Sequence, residues 1–190
     1  MRRAESQPRL ARPLRLVEVD DGTLVERLAA GDTSALGDLY DRHARGLFAF
    51  LARVASFDEA EDLVHTTFLR ASTRAKSYDP SKGEARGWLF GIAAKVVQER
   101  RRALLRRARA FLRAKTSEVT TPPTTGDRND VARALETLSE AKRVVVVLSE
   151  VEGFSCQEIA DMLEIPVGTV WTRLHHARGE LRTYFERGAP

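Results

Sequence analysis

A single cysteine stands in 190 residues, which excludes an internal disulfide and suits a reducing compartment. No apolar run approaches the ~18 residues that a membrane-crossing helix needs, so no direct membrane insertion is expected. The first twenty residues are basic but lack an apolar core and a small-residue cleavage site, so they do not read as a secretory signal. Strand-like alternation is scarce. Paired carboxylates, Cys/His ligand spacings and Gly-rich phosphate loops are also missing, which leaves enzymes acting on nucleic acid unsupported and no cofactor expected. What remains is a chain that is 43% hydrophobic and 31% charged, the composition of a soluble, mostly globular protein of one domain or two small ones.

The charge is unevenly placed. The net charge is only +4. Between Glu18 and Arg70 there are 11 acidic residues against 5 basic, whereas between Glu84 and Lys115 there are 10 basic against 2 acidic, a local net of +8. The second block would attract a polyanion, and the acidic first half points to a protein partner.

Helical periodicity dominates. From Leu36, the residues Tyr40, His43, Leu47, Phe50, Leu51 and Val54 fall on one face, which makes His43 a core or boundary residue. A second helix begins near Ser56–Asp58 with a capping-box pattern, its inner face formed by Val64, Phe68, Ala71 and Ala75. The turn from Ser77 to Gly83 ends it. A long helix follows with Trp88, Ile92 and Val96 on one stripe and then an arginine-rich run. Residues 115–127 carry two prolines and few large apolar residues, as a flexible linker does. The run Val144–Val147 has strand propensity, but Val144, Val147, Leu148 and Val151 repeat as in a helix capped by Ser139, and an isolated strand would have no pairing partner.

The stretch from Gly153 to Arg178 is the most telling. Cys156, Ile159, Ala160 and Leu163 form one stripe, and Val170, Leu174, Ala177 and Leu181 form a second after a tight turn at 164–168. Ala160 is small where the helices would cross, and Cys156 reads as a buried structural thiol. This is the pattern of a helix-turn-helix, whose second helix enters the DNA major groove.

Four segments in order, LVERLAAGDTSALGDLYDRHARGLFAFLARV, DEAEDLVHTTFLRA, ARGWLFGIAAKVVQERRR and ALETLSEAKRVVVVLSEVEGFSCQEIADMLEIPVGTVWTRLHHAR, together resemble the extracytoplasmic-function (ECF) sigma factors of the sigma-70 family. The resemblance runs from about Leu24 to Arg182. It implies an all-α fold of two small helical domains: a flexible basic tail over 1–20, region 2 over 21–114, the linker over 115–127, and region 4 over 128–187. It also implies a non-enzymatic initiation factor that binds core RNA polymerase through the beta-prime clamp and beta flap. Such a factor recognises the −35 and −10 elements of promoter DNA and promotes melting. An anti-sigma factor joins the partners expected for the family, and the location implied is cytoplasmic, nucleoid-associated within the holoenzyme. A transcriptional activator or repressor sharing only the helix-turn-helix is the competing reading; the helical, arginine-heavy first half argues against it.

The resemblance assigns sites residue by residue. Asp62, His65, Thr66 and Leu69 form the polymerase-binding face, although His65-Thr66 stands where Gln-Glu is usual. A metal at Glu61 and His65 would lack a third ligand. Tyr78, Trp88, Lys95, Arg100, Arg101 and Arg102 are the −10 contacts: aromatics capture unstacked bases and cations hold phosphates. Lys95 replaces a common Asn and Glu99 a common Asp, which alters the base preference expected there. Trp88 is equally readable as a core residue. Thr169, Trp171, Thr172, Arg173, His175, His176 and Arg178 are the −35 contacts, with Trp171 at a position that is often basic.

Overall fold

The computed structural model describes residues 19–114 and 130–188, with the side chains of 110–114 left aside. The linker expected at 115–127 and nearly all of the expected tail lie outside the described residues. Among the described residues every regular element is helical, in two domains. The first domain comprises α1 (Asp21–Ala29), α2 (Ser34–Val54), α3 (Phe57–Arg74), two 3₁₀ turns (Ala75–Ser77 and Pro80–Lys82) and α4 (Ala85–Ala114). The second comprises α5 (Asp130–Thr137), α6 (Glu140–Val146), a π-helical segment (Val147–Val151), α7 (Cys156–Leu163) and α8 (Val167–Glu186). No described helix is long and apolar enough to cross a membrane.

Local chemistry sets the helix starts. Asp20 caps α1 by accepting from the Thr23 amide, and Ser56 caps α3 by accepting from the Glu59 amide. At α7 the capping is reciprocal: the Ser155 hydroxyl accepts from the Glu158 amide while the Glu158 carboxylate accepts from the Ser155 amide. Ser139 stands at the N-cap of α6, as expected, but its side chain makes no capping bond; its carbonyl accepts from Lys142 and Arg143 instead. The end of α5 is closed by Arg143, whose guanidinium donates to the carbonyls of Glu136 and Leu138. Burial of that guanidinium lowers its pKa.

The first core gathers Leu39, Leu47, Phe50 and Leu51 of α2, Leu63, Val64, Phe68 and Ala71 of α3, and Leu89, Phe90 and Ala93 of α4. Each large fully buried side chain, such as Phe50, contributes about 1.5–3 kcal/mol relative to exposure. Thr67 is the one buried polar side chain among the described residues, and it donates to the Leu63 carbonyl at 2.7 Å. Two expected positions, Tyr40 and Cys156, differ. Tyr40 leaves the buried face of α2, where Leu39 takes its place, and stacks outside on His65 and Phe68. His43 is a boundary residue, its Nε2 2.7 Å from Asp21 Oδ2. Cys156 is half-buried at the first turn of α7 rather than fully inside, because a first-turn side chain has core on one side only.

The second core buries Val144 to Leu148, Ile159, Ala160, Leu163, Val170, Leu174 and Ala177. Val151, expected inside, is 50% exposed. The cause is the widened π-turn, in which Glu152 N–H bonds to the Val147 carbonyl, five residues back. The extra residue per turn rotates Val151 outward.

The two domains pack on each other. From Ala85 to Val97, α4 is buried almost all round, as expected of a helix between two apolar surfaces. One face meets α2 and α3; the other, carrying Gly87 and Gly91, meets α7.

Candidate nucleic-acid interface

Four of the sequence-predicted residues lie along the outer side of α3. Asp62 and His65 are exposed, Thr66 is half-exposed, and Leu69 is 66% exposed between them. Val64, Phe68 and Ala71 anchor the opposite face, so an amphipathic helix presents a polar surface with one large apolar side chain standing out of it. Tyr40 extends this surface, its hydroxyl 3.4 Å from His65 Nε2. Its spacing matches the buried stripe of α2, which conceals this position in the sequence. No group of three or more His, Cys, Asp or Glu residues converges to hold a metal among the described residues.

The turn between α3 and α4 brings Tyr78 and Trp88 together, ring centroids 5.5 Å apart and planes tilted by 57°. Asp79 shapes this turn by accepting from the Ser81 amide and hydroxyl. Tyr78 donates to the Gly83 carbonyl. Burial, reinforced by the carboxylates of Asp20, Glu26, Glu84 and Asp21, raises its pKa. Trp88 packs against the core and also lines an open cleft with Arg74, Lys82 and Lys95. Trp88 is half-buried between core and cleft.

Helix α4, 30 residues and about 45 Å long in all, runs on beyond the cleft. Arg100, Arg101 and Arg102 are exposed on it. Arg100 is paired with Glu59 of α3 and Arg101 with Glu140 of α6 at 3.6 Å, while Arg102 has no ion-pair partner among the described residues. Lys95 donates to Glu164 at 2.6 Å.

The helix-turn-helix is formed by α7 and α8. The α7 helix ends at Leu163; Ile165 N–H bonds back to the Ala160 carbonyl across Glu164, whose φ of 54° is left-handed. Pro166 then opens α8, where it leaves no amide unpaired. Val170, Leu174 and Ala177 fix the inner face of α8. Trp171 (65% exposed), Thr172, His175, His176 and Arg178 project outward, while Thr169 and Arg173 are half-exposed. Five of the seven expected positions are thus exposed on α8, and Thr169 and Arg173 flank its buried stripe. The Thr172 hydroxyl donates to the Gly168 carbonyl and retains only acceptor capacity outward.

Comparison with known proteins agrees with this architecture. The family description "Sigma-70 region 2" matches residues 39–113, and "Sigma-70, region 4" matches residues 128–181. The ECF RNA polymerase sigma factor SigL of Mycobacterium tuberculosis is 35% identical over 164 residues, spanning 83% of this chain and 93% of that protein. Among solved structures, CnrH in complex with the cytosolic domain of CnrY aligns with a TM-score of 0.64 and 27% identity, over 89% of this chain and 99% of that one. The sigma factor RpoE of Bartonella quintana, in complex with the anti-sigma factor NepR, aligns with a TM-score of 0.61 and 25% identity, over 79% and 96%. The chain belongs to the ECF sigma factors of the sigma-70 family. It is an alternative RNA polymerase sigma factor, a non-enzymatic protein that binds core RNA polymerase and promoter DNA to direct transcription initiation.

Proposed function

We propose a division of that function among three surfaces. The carrying observation is that each presents a different chemistry: an exposed leucine among polar residues on α3, a half-buried aromatic pair (Tyr78 of the preceding turn and Trp88) followed by exposed arginines on α4, and hydrogen-bonding and basic groups on the outer side of α8. Asp62, His65, Thr66 and Leu69 dock the beta-prime clamp of the polymerase. The apolar Leu69 supplies the desolvated anchor and its neighbours the polar rim. Tyr78 and Trp88 take up unstacked −10 bases, while Lys95 and Arg100 to Arg102 hold the phosphates of the separated strand.

The outer side of α8 reads the −35 element. Arg173 and Arg178 bind phosphates or guanines, and Thr169, Thr172, His175 and His176 meet base edges. Trp171 packs on sugar-phosphate or on the polymerase. Region 4 also contacts the beta flap. An anti-sigma factor regulates the protein by covering its polymerase-binding faces, a reading supported by the complexes in which two similar structures were solved. Residues 21–114 and 128–187 form the two functional domains, residues 115–127 tether them, and the holoenzyme resides on the nucleoid.

The test is in vitro transcription by the reconstituted holoenzyme on promoters varied at −35 and at −10. Substituting His175 or Thr172 should change preference at −35 alone, and substituting Lys95 at −10 alone. A Lys95 variant that altered only −35 preference would refute the division.

A further inference from the structure

Helix α4 changes character after Val97. Up to that residue it is buried almost all round; from Gln98 to Arg109 it runs in the open, with only Gln98, Ala103 and Ala108 half-buried. Leu104 is 50% exposed and Leu105 46%, and neither joins a core. With Ala108 they stand at i, i+1 and i+4, on one face of the helix. In the sequence the same apolar period runs on to i+7 and i+8.

Cations border that stripe. Arg107 follows Leu104 by three residues and Arg109 follows Leu105 by four, which puts one on each side of it. From Arg100 to Arg109 there are six arginines, no lysine and no acid. Arg102 and Arg106, four residues apart, therefore oppose each other as like charges. Apart from Arg100 with Glu59 and Arg101 with Glu140, these arginines have no ion-pair partner among the described residues. A helix so composed gains little from its own side chains in water. What would complete it is a partner that supplies carboxylates and covers two leucines.

That requirement selects the occupant. A second copy of the chain would set arginine against arginine. A nucleic-acid strand would neutralise the guanidinium groups but calls for aromatic faces beside them, where this helix offers leucines. An amphipathic protein helix with an acidic rim meets both needs: its apolar face covers the leucines, and its carboxylates match the planar fork of the guanidinium. Glu140 of α6 already takes this role at Arg101, at 3.6 Å.

We propose that residues 98–109 of α4 form a docking surface for an acidic amphipathic helix of a partner protein, which covers Leu104 and Leu105 and pairs with Arg106, Arg107 and Arg109. None of these five residues belongs to the promoter or clamp contacts assigned above, so the inference stands independently of that division.

The test uses the full-length chain and a labelled synthetic helical peptide with leucine at alternating third and fourth positions and glutamate elsewhere. Fluorescence anisotropy reads binding, and amide hydrogen exchange locates it. The parent chain should bind the peptide and gain protection within residues 98–109. Changing Leu104→Gln and Leu105→Gln together should weaken binding roughly tenfold or more and leave the melting temperature unchanged, since both side chains are exposed. Changing Arg106→Gln and Arg107→Gln together should weaken it as well and flatten its salt dependence. Equal affinity for the parent and the leucine variant would overturn the proposal, because charge alone would then account for binding. Protection confined to α3 or α8 would overturn it too. Binding to vesicles of phosphatidylcholine and phosphatidylglycerol without binding to the peptide would overturn it in favour of a lipid surface.

Discussion

Arg178 of α8 approaches Glu150 with two donors, Nε at 3.1 Å and Nη2 at 2.6 Å, both on the same carboxylate oxygen. Glu150 belongs to the π-helical segment that turns Val151 outward, so an irregularity in the backbone places an acid beside the outer side of the recognition helix. On the proposed assignment of Arg178 to the −35 element, a phosphate there displaces Glu150. Glu150→Ala should therefore tighten holoenzyme binding to a −35 duplex at low salt, on the order of threefold, with the gain shrinking as salt rises. A binding titration across salt concentrations checks this; weaker binding would mean that Glu150 orients Arg178 for DNA.

Leu69 stands out of the α3 surface and takes no part in the core. Leu69→Glu should weaken association with core polymerase by roughly tenfold or more, the cost of losing an apolar anchor. Thermal stability should barely move, since exposed substitutions usually stay within about 0.5 kcal/mol. Co-elution with core enzyme and a melting curve separate the two effects.

The arginine run should not behave uniformly. Arg100 and Arg101 are already paired with Glu59 and Glu140, while Arg102 has no ion-pair partner among the described residues. Arg102→Gln should therefore flatten the salt dependence of strand binding most cleanly, by about 0.7 in log–log slope per single-strand phosphate contact. Equal slopes for Arg102→Gln and the parent protein would remove Arg102 from the −10 surface.

Much of this was legible beforehand because it is local. The Trp88/Ile92/Val96 stripe, the Ser56 cap and the two stripes of the helix-turn-helix follow from spacing within one helix. What escaped depends on partners distant in the chain. Gly87 and Gly91 resemble ordinary helix glycines until Met162 arrives against them, and Arg86 and Glu164 acquire meaning only from Glu152 and Lys95 across the domain boundary. Tyr40 matched the buried period of α2, yet Leu39 fills the core beside it. A π-turn has no signature in apolar spacing, so the helical period alone puts Val151 inside.

Asp32 gives the fold an acid-labile joint. The Ser34 hydroxyl, then Arg27 and the Ser34 amide, hold its pKa at about 2, below the ordinary 3.8. Since the folded value is the lower one, its contribution is fully present above the ordinary value and is lost as pH falls toward 2. Unfolding followed between roughly pH 5 and 2 should show a smaller loss of stability for Asp32→Asn than for the parent chain. Parallel pH profiles for the two would exclude this joint.

The central claim is that this chain gives core RNA polymerase a promoter preference it otherwise lacks. In vitro transcription on a randomised promoter library, with core enzyme and chain supplied separately and together, tests that claim most directly. Transcripts should arise only when both are present, from templates enriched in two separated sequence blocks, one near −35 and one near −10. If the mixture remained silent while the isolated chain bound one duplex sequence tightly, the account would be contradicted in favour of a regulator that merely shares the helix-turn-helix.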